Sequence, residues 1–250
     1  MTTAILPGCE PFEAAGGDTG VLVLHGFTGN PTSMRPLAEF LAGDGFTVSL
    51  PRLPGHGTSV ADMMTTGWPD WTGAALDAFD DLAGRTARVA VVGLSMGGGL
   101  SAFVAQRRDV GALVLINPLV KPPAPEMIDG LNQLLEAGLE TIDAIGSDVK
   151  RDGVTELAYD ATPLACARSL FEGVGDVYES LGDIVAPSLL LSSREDHVVT
   201  ADNGDDLVAR VRGPIERIWL ENSYHVATID NDQALVQTLT RDFIRKVVAA

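Results

Sequence analysis

Ser95 stands in Gly93-Leu94-Ser95-Met96-Gly97, at the end of the apolar run Arg88-Val89-Ala90-Val91-Val92 and ahead of a second apolar stretch. Glycines on both sides of a serine let a buried strand turn abruptly into a helix and hold the hydroxyl exposed above a sheet. A serine held there can attack an acyl carbon, and the N–H of Met96 at the start of the helix can receive the oxyanion that develops. The bland alternative is a Gly-rich turn without chemistry; a strand before the motif and an apolar stretch after it favour the nucleophile elbow. A serine of ordinary pKa needs a base, and the base needs an orienting acid. Of the four histidines, His225 follows the last apolar run, Ile215 to Leu220, on a loop that precedes the final helix, and it is the candidate base. His25 in a tight His-Gly turn and His56 in Pro54-Gly55-His56-Gly57 read as structural, and His197 is crowded against the best acid. That acid is Asp196, in the loop after the penultimate strand; Glu195 is its rival, but successive loop side chains point differently. The second oxyanion donor expected is the N–H of Phe27, just past the first long strand, where the alternative is an ordinary turn.

These residues need elements to carry them. Residues 1 to 19 read as an irregular lead-in, and Gly20 to Leu24 as a strand buried on both faces, ending at His25-Gly26-Phe27-Thr28-Gly29. Ser33 or Thr32 is expected to cap a helix with Met34, Leu37, Ala38 and Leu41 on one face, followed by a strand at Phe46 to Leu50 and a rigid loop, Pro51 to Gly57, at a sheet edge. Trp68, Trp71, Ala75, Phe79 and Leu82 mark a helix; Leu113 to Ile116, Pro187 to Leu191 and Ile215 to Leu220 mark further strands; Leu235, Leu239, Phe243 and Val247 line a terminal helix. The alternation predicts an α/β fold with a mostly parallel central sheet flanked by helices. It breaks after Asn117-Pro118. Stripes at Ile128, Leu131, Leu134 and Leu135 and at Leu164, Ala167, Arg168, Leu170, Phe171 and Val174 predict a small helical cap, the alternative being an ordinary connecting pair. The expected division is core at 1–117, cap at 118–185 and core again at 186–250.

Composition narrows the partners. A net charge of −17 argues against nucleic acid and against anionic membrane surfaces. Cys9 and Cys166 are isolated thiols without metal-ligand spacing, and a single disulfide between them stays open. No metal, nucleotide or haem is expected: Gly97-Gly98-Gly99 lacks the Lys-Ser/Thr of a phosphate loop. Without a leader-like start or an apolar run of spanning length, the chain is expected to be cytoplasmic, without a stable membrane anchor, and a monomer or weak homo-oligomer.

The order Ser95, Asp196, His225 along the chain is that of the α/β-hydrolases. With Leu24-His25-Gly26-Phe27-Thr28-Gly29, Gly93-Leu94-Ser95-Met96-Gly97-Gly98, Glu195-Asp196-His197-Val198-Val199 and Asn222-Ser223-Tyr224-His225-Val226-Ala227-Thr228, the sequence resembles the bacterial monoacylglycerol lipases and thermostable carboxylesterases of that fold. The resemblance covers nearly the whole chain from Gly20. It implies a Ser95, Asp196, His225 triad with Phe27 and Met96 amides as the oxyanion hole. Ile142 to Asp148 and Glu156-Leu157-Ala158-Tyr159 look more like the lipases, which implies that Glu156 binds glycerol hydroxyls and Ile145 lines the pocket. Thr200, Ala201 and Asp202 stand where relatives are expected to carry prolines. The expected function is ester hydrolysis through an acyl-enzyme, on monoacylglycerols or other short to medium acyl esters. An acyltransferase or thioesterase using the same triad, or a non-catalytic receptor on the same fold, are the alternatives.

Overall fold

The computed structural model describes residues 4–248. Its frame is a seven-stranded sheet of β1 (Phe12–Ala14), β2 (Thr19–Leu24), β3 (Thr47–Leu50), β4 (Arg88–Leu94), β5 (Ala112–Ile116), β8 (Ser188–Ser193) and β9 (Ile215–Leu220) in the order β1-β3-β2-β4-β5-β8-β9. All pairings are parallel except that of β1 with β3. The elbow strand β4 is therefore central, and its register with β2 runs from Thr19 against Arg88 to Leu24 against Gly93, which brings the ends of both strands to one rim.

Alternation within the strands feeds two cores. Leu22, Leu24, Val89, Val91, Leu113, Leu115 and Leu190 point to one face, where they meet α3 (Trp68–Arg85) and α4 (Met96–Ala105). Val21, Val23, Ala90, Val92, Val114, Ile116, Leu189 and Leu191 point to the other, where they meet α1 (Arg35–Gly43) and α8 (Gln233–Val248). A parallel strand covered on both faces reads as one continuous apolar run, the pattern seen in the sequence.

Several expectations are corrected. The lead-in holds β1, whose Glu13 carboxylate takes the Ser49 hydroxyl and the Arg85 guanidinium; this short edge strand covers β3, so the loop after β3 does not lie at the outermost edge. Asn30, not Thr32 or Ser33, supplies the capping side chain: it accepts from Thr32 N–H at a 3₁₀ turn, Pro31–Ser33, that leads into α1. A short helix α2 (Val60–Met63) and the helix α7 (Asp202–Arg210) were not anticipated. In the terminal helix the fully buried positions are Val236, Thr240 and Ile244, one residue on from the expected stripe, and Leu235 is exposed.

Residues 118–185 hold α5 (Pro125–Glu136) and α6 (Leu164–Glu179), as the two stripes predict, joined by a long strap that contains an unanticipated antiparallel pair, β6 (Thr141–Asp143) with β7 (Ala161–Pro163). The two helices differ in what they cover. Leu170, Val174 and Val177 of α6 enter the main core with α3 and α4, whereas α5 buries only Leu131, in a small cluster with Leu164 and Ala167. Both cysteines are buried and free, which closes the open question of a disulfide.

Candidate active site

The elbow is built by close approach. A Cβ on Gly93 would lie 2.0 Å from the Gly97 carbonyl oxygen, and one on Gly97 would lie 2.2 Å from that of Leu24, so neither position admits a side chain without moving backbone. Ser95, between them, is held at φ 58° and ψ −122°, a region costly for any L-residue and one that persists only where its surroundings over-determine it. They do so here: Ser95 N–H donates to the Ile116 carbonyl at 3.1 Å, and its own carbonyl accepts from Gly98, Gly99 and Leu119. Phe27 and Met96 carry backbone N–H groups that donate to no other group among the described residues. Gly26 lies against the serine, its Cβ position 3.4 Å from Ser95 Cβ, so the loop that carries Phe27 faces the nucleophile.

The Asp196 carboxylate is fully engaged. Oδ1 accepts from Val198 N–H at 2.9 Å and Val199 N–H at 2.8 Å, and Oδ2 lies 2.8 Å from His225 Nδ1. Both side chains of that pair are 7% exposed. With Nδ1 turned to the acid, Nε2 is the ring nitrogen available to an incoming proton. Glu195 instead points outward to Lys150 at 3.0 Å. No hydrogen bond reaches Ser95 Oγ among the described residues; the direct link within the trio is Asp196 to His225. Serine-to-base bonds commonly tighten only when substrate arrives. The turn of Asp196 is intact although Thr200, Ala201 and Asp202 replace the expected prolines: Asp202 accepts from the Thr200 hydroxyl and pairs with Lys121 at 2.7 Å.

The remaining histidines sort as the sequence suggests. His25 Nε2 accepts from Leu53 N–H at 3.2 Å, and Nδ1 lies 3.0 Å from the Gly26 carbonyl. His56 Nδ1 faces the Pro54 carbonyl at 2.9 Å. Their rings are 5.1 Å apart beneath Phe27 and Trp71. Burial drives the first down to about 3 and the second to about 4, so both are neutral at physiological pH and pack beside the loop that carries Phe27. His197 pairs with Asp148 rather than with the serine.

Glu156 lies between the loop that carries Phe27 and the His225 ring. Its Oε1 is 3.1 Å from the Cβ position of Gly29, burial raises its pKa, and the His225 ring and the Ser33 hydroxyl pull it back. Ile145, placed on the pocket wall by the resemblance, is 77% exposed, and Ile142 and Leu139 of the same strap are exposed too. No grouping of His, Cys, Asp or Glu among the described residues could hold a metal ion, and none of the described helices is long and apolar enough to cross a membrane.

Sequence reasoning missed Asn117. At φ 42°, in the left-handed region that Asn tolerates, it accepts from Ser193 N–H at 2.7 Å and donates to the His225 carbonyl at 2.7 Å, joining the end of β5 to the loops of the acid and the base. The Asn-Pro at a strand end was its only local signal. Also missed was Tyr159, whose hydroxyl donates to the Gly55 carbonyl at 2.7 Å while its N–H donates to the Thr28 carbonyl at 3.1 Å, so the strap between α5 and α6 is tied to the loop that carries Phe27.

A parallel sheet with a serine on a strained strand-to-helix corner and an acid-base pair on two later loops of the same rim defines the α/β hydrolases. A sequence model of the alpha/beta hydrolase family matches residues 21–238, and the chain belongs to that family. It is 41% identical to the thermostable monoacylglycerol lipase of Bacillus sp. (strain H-257), over 97% of this chain and 96% of that protein. It is 27% identical to a carboxylesterase of Bacillus subtilis (strain 168), over 95% of this chain and 97% of the relative. A solved structure from work on LipS and LipT, two metagenome-derived lipolytic enzymes, matches with a TM-score of 0.93 at 40% identity, covering 97% of this chain and 100% of that one. The monoacylglycerol lipase of Paleococcus ferrophilus shares the fold, with a TM-score of 0.76 at 19% identity. The resemblance expected from the motifs is borne out by these relatives.

Proposed function

We propose that this chain is a serine carboxylic ester hydrolase whose catalytic groups are Ser95, His225 and Asp196, with the Phe27 and Met96 amides as its oxyanion hole. The observation that carries the reading is the buried 2.8 Å pairing of Asp196 with His225 at the rim where Ser95 is strained. His225 Nε2 takes the Ser95 proton as Oγ attacks the ester carbonyl carbon. The oxygen of the tetrahedral intermediate is received by the two N–H groups, and losing one such donor costs about 10²–10³ in kcat in comparable enzymes. As the carbon–oxygen bond of the leaving alcohol breaks, the imidazolium returns its proton to the departing alkoxide. Water, deprotonated by the same ring, then releases the acid from the acyl-serine. Asp196 holds the ring in the tautomer this requires and stabilises the imidazolium.

The substrate we infer is a monoacylglycerol or another short to medium acyl ester. Glu156 can accept from two hydroxyl donors, as a glycerol head group would offer, and Ile145 with the apolar outer cap shelters the acyl chain. Residues 118–185 act as the cap, and no cofactor enters the reaction. In a test with a p-nitrophenyl ester and a fluorophosphonate probe, Ser95→Ala is expected to lose turnover by about 10⁴-fold or more and to lose the covalent adduct while unfolding at the wild-type temperature. Retained turnover overturns the assignment.

A further inference from the structure

Asp148 lies on the strap of the cap, and its side chain is 13% exposed. Its Oδ2 accepts from the backbone N–H of His225 at 3.0 Å and from that of His197 at 3.2 Å, while Oδ1 lies 2.8 Å from His197 Nδ1. Its carbonyl accepts from Val226 N–H at 3.1 Å. One carboxylate thus joins the residue next to the acid to the backbone of the base. The strap is fastened to the same loop a second time through Asp230, which accepts from Lys150, Arg151 and Tyr224 N–H at 2.7, 2.8 and 2.8 Å. At its other end the strap reaches the oxyanion loop, where Asn30 Nδ2 donates to the Leu157 carbonyl and Tyr159 N–H to that of Thr28. Burial works against charge on Asp148, but the His197 ring and the two amides outweigh it and hold its carboxyl below the usual carboxylate range.

We propose that Asp148 is a positioning residue for the catalytic base: carried by the cap, it sets the spacing of the acid and base loops and ties His225 to the strap that presents Glu156. The proposal rests on the Ser95, His225, Asp196 reading. A carboxylate that accepts two or three N–H groups is stiff, and a base misplaced by an ångström loses much of its rate. A cap joined at both the base and the oxyanion loop cannot swing as one lid without moving the catalytic groups. Its strap is therefore part of the machinery, and any opening must come from α5 and the exposed residues beside it. The charged and titratable groups facing His225 are Asp196, Glu156 and, at its backbone, Asp148. His197 faces Asp148 and the Tyr224 ring, over which Lys150 lies while paired with Glu195.

The test uses the whole chain, with kcat and KM for p-nitrophenyl butyrate measured from pH 5 to 9 per site titrated by a fluorophosphonate. Asp148→Ala is expected to lower kcat per titrated site by about 10- to 100-fold with KM within about twofold. Asp148→Asn keeps an oxygen for the amides but removes the charge. It is expected to recover most of that loss, with kcat per titrated site within about threefold of the wild type and KM unchanged, because both amides keep an acceptor. A purely structural role would lower Tm and the titratable fraction and leave kcat per titrated site in place in both variants; that result overturns the proposal. If Asp148→Ala does not fold, Asp148→Glu, which displaces the carboxylate by one methylene, takes its place, and an unchanged kcat per titrated site in that variant overturns the proposal. Failure of Ser95→Ala to abolish turnover strikes the underlying triad, whereas unchanged Asp148 variants in an enzyme labelled at Ser95 strike only this inference.

Discussion

The rim of the sheet around Ser95 and the outer side chains of residues 118–185 are held in different ways. On the sheet rim Asp196 and Asn117 are held by several short bonds each: Asp196 accepts from two amides and faces one ring, and Asn117 spans β8 and the loop of His225. On the outer cap the conspicuous side chains are apolar and face solvent, with Met127 59%, Ile142 43% and Ile145 77% exposed. Directional bonds fix atoms to within a fraction of an ångström, while an exposed aliphatic group is fixed by little. The contrast separates tasks. On the proposed function, bond-making chemistry would sit where hydrogen bonds and close-packed glycines leave no slack, whereas contact with an acyl chain would need area rather than a set angle.

Substitutions can break that contrast. The largest effect is expected at Gly97→Ala, where the new methyl would collide with the Leu24 and His25 carbonyl oxygens at 2.2 and 2.7 Å. A loss of about 3 kcal/mol in urea unfolding, with activity falling alongside, is the expected outcome; a loss below about 1 kcal/mol would show that the rim has slack after all.

Acid should reveal the neutral props under the oxyanion loop. His25 and His56 refuse protons in the folded chain until about pH 3 and 4. The unfolded chain takes them up near pH 6.5, so stability is full above that value and declines as pH falls from about 6.5 towards 4. The expected cost is on the order of a few kcal/mol by pH 4.5, read as the difference in urea unfolding between pH 7.5 and 4.5. Carboxylates titrate in the same range, and His56→Gln isolates the histidine share by flattening the slope. An equal slope in the variant would remove His56 from the account.

The smallest effect belongs to the outer cap. Ile145→Ser should change stability by less than about 0.5 kcal/mol, because the side chain is mostly in solvent already. It should raise KM for a medium-chain p-nitrophenyl ester about two- to fivefold with kcat unchanged, the pattern of lost uniform binding. Unchanged KM would take Ile145 off the acyl path and sharpen the division between rim and cap.

The elements that were legible are those whose cause is local. The apolar runs of β2, β4 and β5 mark strands covered on both faces, and the glycines around Ser95 announce a corner that no larger residue can make. β1 escaped because three residues of an edge strand, half exposed, carry no periodicity to read. The strap escaped because its order comes from bonds to distant loops, such as Asp148 to His225 and Tyr159 to Gly55, and neither partner announces the other along the chain.

Taken alone, the sequence determined which strands are buried, where the serine corner falls and in what order the chemical residues arrive. These follow from side-chain volume, backbone freedom and the pattern of apolar residues, all of which act within a few positions. The sequence favoured Asp196 over Glu195 and read His25 and His56 as structural, but only the tertiary structure decided that Asp196 lies against His225, that burial leaves His25 and His56 neutral, and that Asp148 and Asn117 hold the loop of His225. Those outcomes depend on which groups the chain brings within about 3 Å of one another, and hydrogen bonding has no reach beyond that distance.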